Sequence, residues 1–207
     1  MPLKLTPHVA RWYLLGAALL IAFPSLMSIY TRYNGKILVA LSKIERDPYF
    51  ARTVIFIGEH NGWGAQGIIL NQPIPEEELN KLSNLPKGFK WLKGGPVMYP
   101  WAQFVLVPDI QEKNEKLKMM TLTQYIKNYP EEWQQVLNSD EKKSHFRIYL
   151  GFAGWNMAQL EGEILRGSWG LIPYDTDLFN SPESSEEMWR RALGKVLEKA
   201  PEQHKEI

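Results

Sequence analysis

Apolar positions in this chain cluster in short runs rich in β-branched and aromatic residues, punctuated by Gly, Pro and Asn. Such runs, four to eight residues long, predict strands. They fall at KILVAL (36–41), TVIFIG (53–58), QGIILN (66–71), WLKGGPV (91–97), WAQFVLVP (101–108), LKMMTL (117–122), HFRIYLGFAG (145–154) and SWGLIP (168–173). Helical character is expected over PEEELNKLSNL (75–85), which opens with proline and three acids, the residues favoured in a first turn. Two short helices are expected at TQYIKN (123–128) and EEWQQVL (131–137). WNMAQLEGEILRG (155–167) has helical spacing, with Leu160 and Ile164 on one stripe. SSEEMWRRALGKVLEKA (184–200) is expected to form a terminal helix, its serine and glutamate at 184–187 resembling a capping box. Strands in bunches with irregularly placed helices predict an α+β fold around a curved mixed or antiparallel sheet.

GWGAQG (62–67) matches the G-x-G-x-x-G pattern of dinucleotide-binding loops and follows a strand. That pattern needs a helix next, whose amides hold the phosphates. Here IILNQPIP follows, and Pro73 and Pro75 forbid such a helix. The two apolar runs joined by EHNGWGAQ predict a hairpin with a wide glycine-containing loop, and no nicotinamide or flavin cofactor is expected.

One segment stands apart. Residues 12–31, WYLLGAALLIAFPSLMSIYT, carry no charge and are bracketed by Arg11 and Arg32. About 20 helical residues span a hydrocarbon core, and Trp12, Tyr13 and Tyr30 sit where rings settle at headgroups. The expectation is a membrane anchor, with a cleaved signal peptide as its rival. Lys4 and Arg11 precede it while Arg32, Lys36, Lys43 and Arg46 follow, which places the main domain on the cytoplasmic side. The organisation is a hydrophobic segment (1–34), a globular domain (35–200) and a tail (201–207).

Composition narrows the chemistry. There is no cysteine, which excludes disulfides, thiolate metal sites and cysteine nucleophiles. Of 24 basic residues, three (Lys4, Arg11, Arg32) lie before residue 35, leaving 21 against 23 acidic groups, a net of −2 for the rest. Basic residues there run no longer than the pairs Lys142-Lys143 and Arg190-Arg191, so direct nucleic-acid binding is not expected.

Three segments in order carry a resemblance: DPYFARTVIFIGEHNGWGAQGIILNQP (47–73), GGPV (94–97) and GFAGWNMAQLEGEILRGSW (151–169). With WRRAL (189–193) they resemble the diagnostic blocks of the YqgE/AlgH family of bacterial proteins, over about Gly35 to Leu197. The resemblance implies a bifurcated sheet curled into a pseudo-barrel with peripheral helices. The family's activity is not established, and its name comes from a proposed regulatory role in alginate synthesis. The hydrophobic N-terminal segment departs from the family pattern.

Seven residues are candidates for ligand binding: His60, Asn71, Gly94, Gly95, Trp155, Gln159 and Glu161. His60 closes a strand at the hairpin loop, where it serves as base or ligand or simply bonds the turn facing solvent. No other histidine offers metal-ligand spacing, so no metal site is expected. Asn71 either ends its strand through a side-chain bond or contacts a ligand. Gly94-Gly95-Pro96 is either an anion nest or a tight corner. A helix starting at Trp155 puts Gln159 and Glu163 on one polar face and Glu161 beside apolar positions, where a carboxylate needs a specific partner. Trp155 and Trp169 either wall a pocket or belong to the core. Glu161 and Trp155 are accordingly expected to matter more than His60. No nucleophile with a matched base is found. The leading expectation is therefore a non-catalytic regulatory or interaction domain, membrane-tethered and regulating indirectly through an unknown protein partner or small ligand. A small-ligand sensor or enzyme, its pocket formed by the hairpin loop, the GGP turn and the Trp155 helix, is the alternative.

Overall fold

The computed structural model describes residues 11–13, 16, 33–82, 85–108, 117–180 and 184–199. Among the described residues the strands and α-helices are ordered β1 (Ile37–Ala40), β2 (Val54–Asn61), β3 (Gly64–Ile69), α1 (Glu76–Lys81), β4 (Lys90–Lys93), β5 (Gln103–Pro108), β6 (Leu117–Thr121), α2 (Leu122–Asn128), α3 (Pro130–Leu137), α4 (Asp140–His145), β7 (Arg147–Leu150), β8 (Ala153–Asn156), α5 (Gln159–Leu165), β9 (Trp169–Ile172), α6 (Thr176–Asn180) and α7 (Ser185–Lys199), with a 3-10 turn at Ser42–Ile44 between β1 and β2. The expected hydrophobic helix at 12–31 lies outside the described residues apart from Trp12, Tyr13 and Gly16. No helix among the described residues is long and apolar enough to cross a membrane.

The fold is α+β, but the strands form two sheets rather than one, and among the described residues no barrel closes. The first sheet, ordered β8-β3-β2-β1-β9, is antiparallel throughout. The second, β4-β7-β5-β6, is mixed, with β4 parallel to β7. Ile37, Val39, Val54, Phe56, Ile68 and Leu70 face the second sheet's Leu92, Phe104 and Tyr149, together with Met188 and Ala192 of α7. The opposite face of the same strands, including Leu38, Ile55, Ile57 and Ile69, packs against Trp155, Leu160 and Trp169. Burial on both faces is why these strands read as unbroken apolar runs. The outer face of the second sheet is covered by Tyr125 and Val136, with Trp133 against them.

Two joints hold the sheets together. At Gly94 the backbone N–H donates to Leu150 of β7, while its carbonyl accepts from Ile69 of β3, so this residue stitches one sheet to the other. Gly95 then turns at φ +152°, where an added Cβ would lie 2.2 Å from the carbonyl carbon of Phe152. Only glycine fits that approach. The GGP segment is thus the tight corner, not an open anion cradle. At the other joint, HFRIYLGFAG is two strands, not one: Gly151 (φ +70°) releases the chain from β7 in the second sheet into β8 in the first.

Candidate functional site

The hairpin differs from the wide loop expected. A register shift between Ile57 and Glu59 lets β2 continue, pairing Glu59 with Gln66, His60 with Ala65 and Asn61 with Gly64. The connection shrinks to Gly62-Trp63, and β3, not a helix, begins at Gly64. His60 is consequently inside the protein, 2% exposed, rather than in a solvent-facing loop. Its Nε2 lies 2.6 Å from Glu161 Oε1, and the Tyr33 amide donates to Nδ1 at 3.4 Å. With Nδ1 accepting, Nε2 carries the proton donated to the carboxylate. The Tyr33 ring packs 5.0 Å away, centroid to centroid.

Trp155 sits on β8 opposite Ala65, not at a helix start. The chain leaves that strand, takes a left-handed turn at Ala158 (φ 57°), and only then begins α5 at Gln159. This strand-then-helix path brings Glu163 back beneath two indoles. Its Oε2 accepts from Trp155 Nε1 at 2.9 Å and from Trp169 Nε1 at 2.8 Å, while Oε1 accepts from Gln159 Nε2 at 3.0 Å. Gln159 Oε1 in turn accepts from the Asn156 amide at 3.0 Å. Gln159 and Glu163 do share a face, as the spacing required. Glu163's role as the hub of both tryptophans was not among the expectations; the local clue was a carboxylate placed between Trp155 and Trp169 in sequence.

Four of the seven candidates therefore converge: His60 and Glu161 as a pair, Trp155 and Gln159 as part of the adjoining network. Gly94 and Gly95 form the inter-sheet corner instead. Asn71 lies elsewhere again, buried at 6% exposure. Its Oδ1 accepts from the Val54 amide at 2.9 Å and its Nδ2 donates to the carbonyls of Arg52 and Ser185, at 2.9 and 3.0 Å. The hairpin, the corner and α5 do not enclose one pocket. His60 and Glu161 line none of the cavities described below. The His60–Glu161 contact fastens α5 to the first sheet.

The open concave space lies on the other face of the hairpin. A cavity of about 470 Å³ runs between Glu59 and Gln66 on one side and Lys118, Thr121, Gln124 and Asn128 on the other. A smaller hollow of about 140 Å³ continues from Glu59 and Gln66 to Asn61, Trp63 and Trp155. The bulge shapes this groove. A Cβ at Gly58 would stand 2.5 Å from Met119, so the missing side chain lets β6 approach β2 at the groove floor. Glu59 is held by the Asn61 amide nitrogen at 2.9 Å. The Thr121 hydroxyl accepts from the Gln124 N–H while Gln124 Oε1 accepts from the Thr121 N–H, a closed capping box that leaves this hydroxyl no free base. The groove offers amides, one carboxylate and one ammonium: hydrogen-bonding groups of both signs without an activated nucleophile. Trp63, 80% exposed, stands at its end. Three separate segments build it, and no local sequence pattern announces it.

A family model described as AlgH-like matches residues 37–200. The chain is 35% identical over 161 residues to a UPF0301 protein of Idiomarina loihiensis, covering 70% of this chain and 82% of that protein. It is 30% identical over 172 residues to one of Serratia proteamaculans, covering 77% and 89%. Among solved structures it resembles the solution structure of the AlgH protein from Pseudomonas aeruginosa, with a TM-score of 0.53 and 28% identity over 81% of this chain and 90% of that one. A protein from Corynebacterium diphtheriae, TM-score 0.53 at 23% identity over 78% and 86% of the two chains, shares the fold.

Proposed function

From a chain that belongs to the AlgH-like family, we propose a non-catalytic interaction domain of a membrane-tethered regulator, whose partner docks in the groove over Glu59 and Gln66. The observation that carries this reading is the contrast between the two sites. The groove is open and lined by Gln66, Gln124 and Asn128, which bind without reacting. The one histidine–carboxylate ion pair among the described residues is largely buried. A net of −2 beyond residue 34 gives no broad positive field for nucleic acid, so the regulation runs through a protein or small ligand.

The tether is residues 12–31, and the fold fits it. Tyr33 is bound to His60 at the end of β2, and the Gly35 amide donates to Ile57. Trp63 and the exposed Met157, which follows β8, lie at this same end of the first sheet. That pole faces the bilayer, where an exposed indole belongs at the headgroups. The groove then opens beside the membrane. In fractionation of cells expressing the full chain, the protein is expected in the membrane pellet after carbonate or high-salt washing. An intact chain in the soluble fraction would contradict the tether; a shorter mature chain beginning after Ser28 would indicate a signal peptide.

A further inference from the structure

A further cavity lies at the opposite end of the first sheet, outside the groove and outside the His60 network. It measures about 200 Å³ and is lined by Lys90, Arg147 and Ser185 on its polar side and by Leu70, Leu92 and Met188 on its apolar side. Lys90 and Arg147 are directly paired in register across the parallel strands β4 and β7, so both side chains leave the sheet on the same face. Two cations side by side repel unless an anion bridges them, and no carboxylate among the described residues faces Lys90. Burial lowers the Lys90 ammonium's pKa, and the charge of Arg147 lowers it further.

Arg147 is already fixed for binding. One guanidinium N–H donates to the Phe179 carbonyl, and the group lies 4.9 Å from the centroid of the Phe179 ring. A guanidinium presents its N–H donors as a planar fork, which suits a planar or tetrahedral oxyanion. Behind it, the fully buried Tyr149 hydroxyl has Arg147 as its polar neighbour. Burial pushes its pKa up to about 12, opposed by the neighbouring charge of Arg147. An exposed ammonium beside a half-buried guanidinium, with no carboxylate of the described residues facing Lys90, marks a site suited to an anion.

We propose that this cavity binds a small oxyanion, a phosphate monoester or a carboxylate, whose compact apolar body rests on Leu70, Leu92 and Met188 while its charge bridges Lys90 and Arg147. The volume admits a head group with a ring or short chain and excludes a dinucleotide. Because the site is remote from the groove, it stands or falls separately from the docking reading above.

The test is a titration of the full chain in mild detergent with phenyl phosphate, with benzoate, and with benzyl alcohol as the uncharged control. Saturable binding of phenyl phosphate or benzoate is expected, weakened by added salt. Tighter phenyl phosphate assigns a phosphate ligand, and tighter benzoate a carboxylate. Lys90→Gln, at an exposed position that the fold does not need, is expected to weaken binding about tenfold or more. Arg147→Lys keeps the charge and the fold but loses the fork, and is expected to weaken it as well. No saturable binding, equal binding of benzyl alcohol, or binding that Lys90→Gln leaves unchanged would overturn the proposal.

Discussion

Replacing Glu163 by alanine is expected to destabilise the domain by about 2–5 kcal/mol, more than removal of any other acid in the α5 network. The carboxylate accepts from both Trp155 and Trp169, whose side chains are 6% and 4% exposed. Alanine leaves two indole N–H groups in the interior without acceptors, and each such orphan costs about 1–3 kcal/mol. The two rings meet edge to face at 6.0 Å, so neither can rotate to find water without disturbing the other. For a domain of this size the loss corresponds to a fall in Tm of about 2–4 °C per kcal/mol. Glu163→Gln keeps one carbonyl oxygen and should lose roughly half as much. Thermal melts followed by tryptophan fluorescence would show both the shift and a red-shifted native emission as the indoles admit water. A change in Tm of the alanine variant below the scatter of surface substitutions would contradict the role given to Glu163.

The second large effect concerns His60 and Glu161. Their 2.6 Å contact joins residues 101 apart in sequence, with the histidine side chain 1% and the glutamate 17% exposed. Removing either partner is expected to cost about 1–3 kcal/mol, the lower end applying to His60→Ala because Glu161 retains some access to water. Since both residues serve one contact, the losses should not add. The double variant His60→Ala, Glu161→Ala is expected to be more stable than the sum of the singles by about 0.5–2 kcal/mol. Additive losses would mean that the pair makes no energetic contact. The sequence-based ranking set His60 well below Glu161 because it placed the histidine in a solvent-facing loop; His60 is instead buried. Glu161 does have a specific partner, and that partner is His60.

The particular residues explain why some of this was legible and some was not. β1, the first half of β2 and the second half of β3 were plain because both faces of their sheet are buried there, so their side chains are apolar. The end of β2 was not, because Glu59-His60-Asn61 reads as loop polarity. What makes His60 a core residue is a carboxylate from α5, and a long-range contact leaves no local pattern. Trp155 and Asn156 have helical neighbours in sequence but pair with Ala65 and Gly64, and tertiary pairing overrode the local period. α4 and α6 were not anticipated. The former contains only Asp140–His145 and depends on its cap, Ser139, whose side chain accepts from the Lys142 amide. The division into two sheets rests on glycine conformations at Gly95 and Gly151 that the residue type permits but does not dictate. The groove was invisible because residues near 59, 66 and 118–128 meet only in the folded chain.

On the proposed function, partners dock over Glu59 and Gln66 and not at the buried histidine pair. The direct measurement is photo-crosslinking in intact cells, with a photoreactive residue placed in the full chain at Gln66, at Asn128, or at the exposed Glu131 of α3, which is not among the groove-lining residues. A discrete adduct is expected from positions 66 and 128, absent from 131, and unchanged when His60 and Glu161 are both alanine in a variant that still folds. No adduct from the groove positions, or the same adduct from all three, would contradict the claim.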